Sequence, residues 1–340
     1  MPDTTLQGLP PHMQLIQMGC AYWTSQMVLV AAELSLADRL AKGPRNADEL
    51  ARELGLNAPA FYRFMRSLAG LGILTQRADG AFALTALGEA LKTGASGAAR
   101  SSILMLTGLV GPAWDRLSDS LKTGTPSFND VFGVPIFEHL AKRPDQAAMF
   151  SETMVGFHNL EPPAVAAAYD FSPFKTIVDV GGATGNMLCN ILGRHKAPRG
   201  LLFDMPHVVT EAPAFIAERG LRDRISIESG SFFEAVPKGH DAYIMSHIIH
   251  DWTPEQCGTI LGNCRKAIAP NGKLLIVEMV LPEGDTPHPG KMLDMMMLVG
   301  PGGQERTGKE YEALLAKSGF RMTRIVPTNS DVSVVEAVPA

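Results

Sequence analysis

No CxxC pair occurs anywhere in the chain. Its four cysteines, Cys20, Cys189, Cys257 and Cys264, stand far apart or at helical spacing, as reduced thiols in a cytoplasmic protein do. Positive charge is not in excess: 30 Lys and Arg face 35 Asp and Glu, so a net charge of −5 gives no general attraction to nucleic acid or anionic lipid. No stretch approaches the ~20 apolar residues that a membrane span needs. The opening MPDTTLQGLPPH lacks both a basic segment and an apolar core, so secretion is not expected. Repeats and low-complexity tracts are missing as well. What remains is a globular composition, 46% hydrophobic and 19% charged, in a chain of 340 residues, long enough for two domains.

Residues 12–34, HMQLIQMGCAYWTSQMVLVAAEL, are apolar on nearly every side of a helix. Such a helix must be covered all round, and a second copy of the chain is the natural cover. In the following NADELARELGLNAPAFYRFMRSLAGLGIL, Asn46 and Glu49 have capping-box spacing and Gly55 ends that helix. Asn57 starts a second helix whose Phe61, Phe64, Met65 and Leu68 share a face. QRADGAFALT then alternates about Asp79-Gly80, a hairpin signal. Helix, turn, helix and hairpin make a winged helix. Arg63, Arg66 and Arg77 would be its DNA contacts, but Asp48, Glu49, Glu53 and Asp79 interrupt them, and a scaffold is the expected role. Residues 100–170 read mainly as helices.

From residue 174 strands alternate with helices: FKTIVDV, GLLFDM, RISIESG, DAYIMSH and KLLIVEMVL are the strand candidates. RMTRIVPT and DVSVVEAV close the chain without a helix between them, as an antiparallel edge pair. This is a doubly wound α/β sheet, whose ligands sit at the carboxyl ends of its strands. The first strand runs into Asp179-Val180-Gly181-Gly182-Ala183-Thr184-Gly185. Ala183 and Asn186 stand where a dinucleotide GxGxxG would need glycine, and no GxxxxGK[ST] run exists. D-x-G-x-x-x-G with Asp204 ending the second strand suits a nucleoside without a pyrophosphate. Gly181 lets the backbone approach it, Asp179 faces an ammonium and Asp204 accepts both ribose hydroxyls.

IVDVGGATG, LFDMPHVV, HIIHDW, IVEMVLPEGD and PGGQERT, in this order, resemble the S-adenosylmethionine-dependent O-methyltransferases of the caffeate and hydroxyindole type. The resemblance covers nearly the whole chain. It implies a winged-helix dimerisation domain over 1–100 and a class I methyltransferase domain over 101–340, with 101–172 a helical substrate-binding region and 173–340 the Rossmann-like core. It implies S-adenosyl-L-methionine as cofactor, S-adenosyl-L-homocysteine as product, and a homodimer. Gly181, Gly185 and Asp204 would hold the cofactor. Ser231 replaces an acidic residue common in the family, so the adenine hydrogen bond falls to a hydroxyl or the backbone, and Phe232 supplies an apolar wall. Ser246 and Gly300 replace a lysine and an asparagine of plant members.

SHIIHDW, residues 246–252, follows the fourth strand. If that strand persists, His247 and His250 point to opposite sides, and no Cys/His cluster completes a metal set, so no metal is expected. His250 lies on the ligand-binding rim. Methyl transfer to a hydroxyl needs a base there, and a carboxylate would favour its imidazolium and fix its tautomer. Glu278, at the end of KLLIVE, and Glu305, in PGGQERT, match the two glutamates of the family; Glu305 also reads as a surface partner of Arg306. Asp251 reads as a cap of the next helix or as a partner of the backbone. His247, Met154, Phe157 and Met297 are the candidate acceptor-lining residues, with Met292, Met295 and Met296 beside the last. The expected function is methylation of a hydroxyl on a small aromatic compound. The alternatives are N-methylation, non-methylating chemistry with the same cofactor, and an S-adenosylmethionine-sensing DNA-binding regulator.

Overall fold

The structure, a computed structural model, describes residues 8–340; residues 1–7, the start of the opening stretch that carries the expectation of no leader, lie outside it. Two compact units emerge, one of residues 8–117 and 127–159, the other of 118–126 and 160–340.

The first unit begins with the helix Pro11–Glu33, whose proline occupies the first turn, where no amide hydrogen is needed. Its C-terminal Leu29, Ala31 and Ala32 are buried, while Leu15, Ile16, Met18, Tyr22 and Trp23 lie open to solvent within the chain. The helices Ala47–Leu54 and Ala58–Gly70 follow. Gly55 closes the former in the left-handed region, and the Asn57 side chain caps the latter by accepting from Ala60 N–H at 3.0 Å. The capping box expected at Asn46 does not form: its side chain makes no cap bond, and only its backbone carbonyl joins the helix, to Leu50 N–H. Phe61, Met65 and Leu68 are buried with Leu50 and with Phe82 of the hairpin β1 (Leu74–Gln76) and β2 (Phe82–Leu84), the wing. Further on, the helix Pro144–His158 packs on Ala99–Ile103.

In the second unit, near-continuous apolar runs give central strands buried on both faces, as parallel sheets require. The edge strand Ile225–Ser229, ISIES, is buried only at Ile225. The strands are β3 (Thr176–Val180), β4 (Arg199–Asp204), β5 (Ile225–Ser229), β6 (Ala242–Ser246) and β7 (Lys273–Glu278). A short parallel pair, β8 (Val280–Leu281) and β9 (Arg306–Thr307), stands apart from the main sheet. With β10 (Phe320–Pro327) and β11 (Ser333–Pro339) the main sheet has the order β5-β4-β3-β6-β7-β11-β10. The first five run parallel, and β11 is antiparallel to both its neighbours. Alternate side chains feed two cores. Ile177, Leu202 and Ile244 meet Leu188 and Ile191 on one face; Val178, Leu201 and Tyr243 meet Ile260, Leu261 and Leu315 on the other. The chain winds from β3 outward to β5, then returns to place β6 on the other side of β3. That reversal opens a crevice at the carboxyl ends of β3 and β6. Among the described residues no helix is long and apolar enough to cross a membrane, and all four cysteines are free.

Candidate active site

After β3, residues 181–185 turn into the helix Asn186–Arg194, and Gly181, Ala183 and Gly185 have left-handed backbones (φ 75°, 48° and 80°). At Gly181 space as well as torsion demands glycine. A Cβ there would collide with the Ile248 side chain and stand 3.6 Å from Cε1 of Phe232. The turn after β3 is thus packed directly on the segment after β6. Ser231 and Phe232 belong to the loop after β5, which Asn263 fastens by donating to the carbonyls of Phe232 and Phe233 at 3.0 Å each. The Ser231 hydroxyl accepts from Phe233 N–H at 3.3 Å, and Ser246 is the last residue of β6, opposite Val277.

Asp179 lies beneath the glycine turn and is 1% exposed. A side chain at Gly182 would run into its carboxylate, whose Oδ2 has no hydrogen-bond partner. Burial, and next the negative charge of Asp204, push its pKa up to about 7. Asp204 ends β4, with Oδ2 accepting from Ala183 N–H at 3.0 Å and Oδ1 from Met205 N–H at 2.7 Å. Burial raises its pKa against those two donors. Each of its oxygens keeps lone-pair capacity. Two buried carboxylates with unused lone pairs at the strand ends, one oxygen of Asp179 without any partner, suit a ligand that brings hydroxyls and a positive charge.

Across the crevice β6 ends at Ser246. His247 adopts φ 53°, a conformation unusual for a side-chain-bearing residue, and its Nε2 pairs with Glu161 Oε2 at 2.6 Å. Because the strand stops there, the rings of His247 and His250 do not diverge; their centroids are 5.0 Å apart. His250 sits in the tight turn Ile249–Asp251 and is 5% exposed. Its Nδ1 is 2.5 Å from Glu305 Oε1, and its Nε2 is 3.6 Å from Asp251 Oδ1. Burial draws the imidazolium pKa down, but Asp251, Glu305 and Glu278 together reverse this, and it stands above the ordinary histidine value. Glu278 does not touch the ring. Its Oε1 accepts the backbone N–H of Ile249 at 2.6 Å and of His250 at 3.1 Å, and its Oε2 accepts the Tyr311 hydroxyl.

Three expectations change. Glu305 is not on the surface but 2% exposed, and neighbouring Arg306 is equally buried. Asp251 does not cap the next helix: Thr253 does, in a reciprocal capping box with Gln256, which leaves Asp251 as a charge beside the imidazole. The methionines before Pro301 also part company, Met297 being buried and Met292 exposed, as opposite sides of one helix must be. Met154 and Phe157 lie on the helix Pro144–His158 of the other unit, Phe157 largely exposed. Arg306, Tyr311, Asp294 and Glu161 escape a reading of the sequence. The one local signal is the T-x-x-E spacing of Thr307 and Glu310, a capping box that starts the helix carrying Tyr311.

Sheet order, glycine turn and acid-tipped strand ends define a nucleoside-binding α/β transferase. The chain belongs to the O-methyltransferase family: the O-methyltransferase domain matches residues 114–321 and the O-methyltransferase dimerisation domain residues 16–94. It is 42% identical over 332 residues to the phenazine O-methyltransferase of Lysobacter antibioticus, covering 98% of this chain and 97% of that one. Among solved structures it resembles an O-methyltransferase from neocarzinostatin biosynthesis in complex with S-adenosylmethionine and 2-hydroxy-5-methyl naphthoic acid. That likeness has a TM-score of 0.83 and 31% identity over 93% of this chain and 96% of that one. It also resembles the N,N-8-amino-8-demethyl-D-riboflavin dimethyltransferase of Streptomyces davawensis, with TM-score 0.83 and 30% identity over 98% and 100% of the two chains.

Proposed function

We propose that this O-methyltransferase moves the methyl group of S-adenosyl-L-methionine to a hydroxyl on a fused aromatic acceptor, with His250 as general base. The observation that carries the reading is the His250–Glu305 pair, Nδ1 to Oε1 at 2.5 Å, on the strand-end rim that also bears Asp204. The residues present fit the cofactor: its ribose hydroxyls and ammonium are donors for the spare lone pairs of Asp204 and for Asp179 Oδ2, which has no partner. Asp204 would take the ribose, Asp179 and the Gly181–Gly185 turn the methionine part, and Phe232 the adenine face, with Ser231 and Ser246 as nearby polar groups. The cofactor supplies an electrophilic methyl group on a sulfonium. His247 and Met297 would line the acceptor. The phenazine and naphthoate relatives favour a flat polycyclic phenol, and the dimerisation domain favours a homodimer.

Glu305, by accepting from Nδ1–H, leaves Nε2 unprotonated when the ring is neutral, so Nε2 is the atom that receives the hydroxyl proton. The raised proton affinity of His250 narrows its gap to a phenol, whose ordinary pKa is ~10. A base works only unprotonated, so kcat/KM should rise with pH through a value above that of an ordinary histidine. Glu305→Gln removes a negative neighbour and should lower that value. His250→Ala should keep cofactor affinity yet lose about 10²–10⁴ in rate on an un-ionised phenol. The loss should shrink on a nitrophenol-type acceptor already ionised at neutral pH. Rates on a panel of hydroxyphenazines, naphthols and matching arylamines, with labelled cofactor, test both base and acceptor. Equal losses on ionised and un-ionised acceptors would reassign His250 to substrate positioning, and turnover of the amines alone would make the enzyme an N-methyltransferase.

A further inference from the structure

The base and its carboxylate come from chain segments 55 residues apart, yet hold one ring nitrogen at hydrogen-bond distance. Something must fix their register. Gln304 N–H donates to the His250 carbonyl at 2.8 Å, just before Glu305 in sequence. Just after it, Arg306 Nη1 donates to the carbonyls of Ile249 at 3.2 Å and Gln304 at 3.0 Å, while Nη2 stands 3.5 Å from Cys257 Sγ. The His250–Glu305 contact is therefore bracketed on both sides by bonds to the backbone of the turn that carries the base.

Arg306 is also a buried cation with 2% exposure, and among the described residues no carboxylate lies within ion-pair distance of it. A guanidinium in a core is expensive unless bonded and electrostatically compensated. Here the compensation is diffuse: Glu278 and Glu305 are buried nearby, and the half-buried Asp294 accepts Glu305 N–H at 2.8 Å. We propose that Arg306 is a positioning residue for methyl transfer, locking the His250 turn to the Glu305 strand and supplying the buried positive charge that offsets the carboxylates around His250. The groups that face His250 are Asp251, Glu278, Glu305 and His247, with Tyr311 donating to Glu278 and Cys257 beneath the turn. Arg306 reaches the same turn through Ile249 and Cys257. Its charge opposes protonation of the imidazole, and its fork sets where the imidazole stands.

The proposal rests on His250 being the base, and two variants separate its parts. In Arg306→Met, with the charge gone and the bulk kept, His250 holds its proton more tightly. The ascending limb of kcat/KM should move to higher pH, with the rate at a fixed pH on that limb falling about 10-fold per unit moved. Arg306→Lys keeps the charge and loses the two-carbonyl grip, so kcat should fall equally at every pH while the limb stays in place. Binding of S-adenosyl-L-homocysteine by calorimetry should be unchanged in both, because the glycine turn is untouched. If Arg306→Met does not fold, Arg306→Lys still decides: a wild-type kcat there overturns the register role. A limb present in wild type but unmoved in folded Arg306→Met overturns the charge role. A wild-type limb that survives His250→Asn overturns instead the assignment of the base.

Discussion

At the scale of single residues the site is a set of charges held where water cannot reach them, and each should leave a mark on stability. Asp179 is the clearest. Its carboxyl, normally ionised above a pKa of 3.8, is held near 7 by burial and by Asp204. A raised carboxyl pKa means that the fold prefers the neutral form. Its contribution is complete below about pH 4 and is lost as pH climbs towards 7, by roughly 2–4 kcal/mol for about three units. Asp179→Asn is neutral at every pH and escapes that loss. The cofactor-free variant should therefore melt at or above wild type, with the gap widening between pH 5 and pH 8 in paired thermal scans. The same variant should gain less on adding S-adenosyl-L-homocysteine, because an amide answers an ammonium poorly. A variant that melts lower at pH 8 and keeps full ligand stabilisation would mean that the carboxylate serves the fold and not the cofactor.

At the scale of elements, the parts of the fold set by local pattern were legible and those set by distant contact were not. The strands announce themselves as short apolar runs, and the unbroken step from Val326 to Val334 marks the antiparallel pair. The hairpin could be placed from Asp79-Gly80 and the helix end from Gly55, since each is chemistry of neighbours along the chain. Which polar residue caps a helix was harder: Asn46 and Asp251 have suitable side chains, yet the bonds go to Asn57, Thr253 and Thr307, although Asn46 shares their extended backbone. Glu278 and Glu305 could be picked out from their motifs. Their division of labour, one on the backbone of the base and one on its ring, depends on how the segment 301–306 crosses the turn Ile249–Asp251, and no local spacing encodes that. Gly303 tests the crossing. A Cβ there would collide with the His250 carbonyl, so Gly303→Ala should push the strand off the turn, at a cost of about 1–3 kcal/mol. It should lower kcat far more than cofactor affinity, and a normal kcat would show that the close approach is dispensable.

At the scale of the whole molecule the unanswered demand is the apolar side of the first helix. Leu15, Ile16, Met18, Tyr22 and Trp23 are 53–70% exposed within one chain, in a domain of the dimerisation type. Five large side chains along three turns make a contiguous patch of the kind that soluble monomers rarely leave open. A second copy, related by a two-fold axis, would present the same helix in return, so each substitution removes its contact twice. Tyr and Trp at the centre of such an interface are each worth about 2 kcal/mol or more on truncation. Trp23→Asp should then weaken association by roughly 4 kcal/mol, about a thousandfold, and carry a dimer stable at nanomolar concentration to dissociation in the micromolar range. Sedimentation velocity across 0.1 to 10 micromolar, in wild type and in Trp23→Asp, reads this directly. A wild-type monomer across that range would remove the homodimer. A variant as tightly dimeric as wild type would move the interface away from this helix, and its exposed side chains would need another cover.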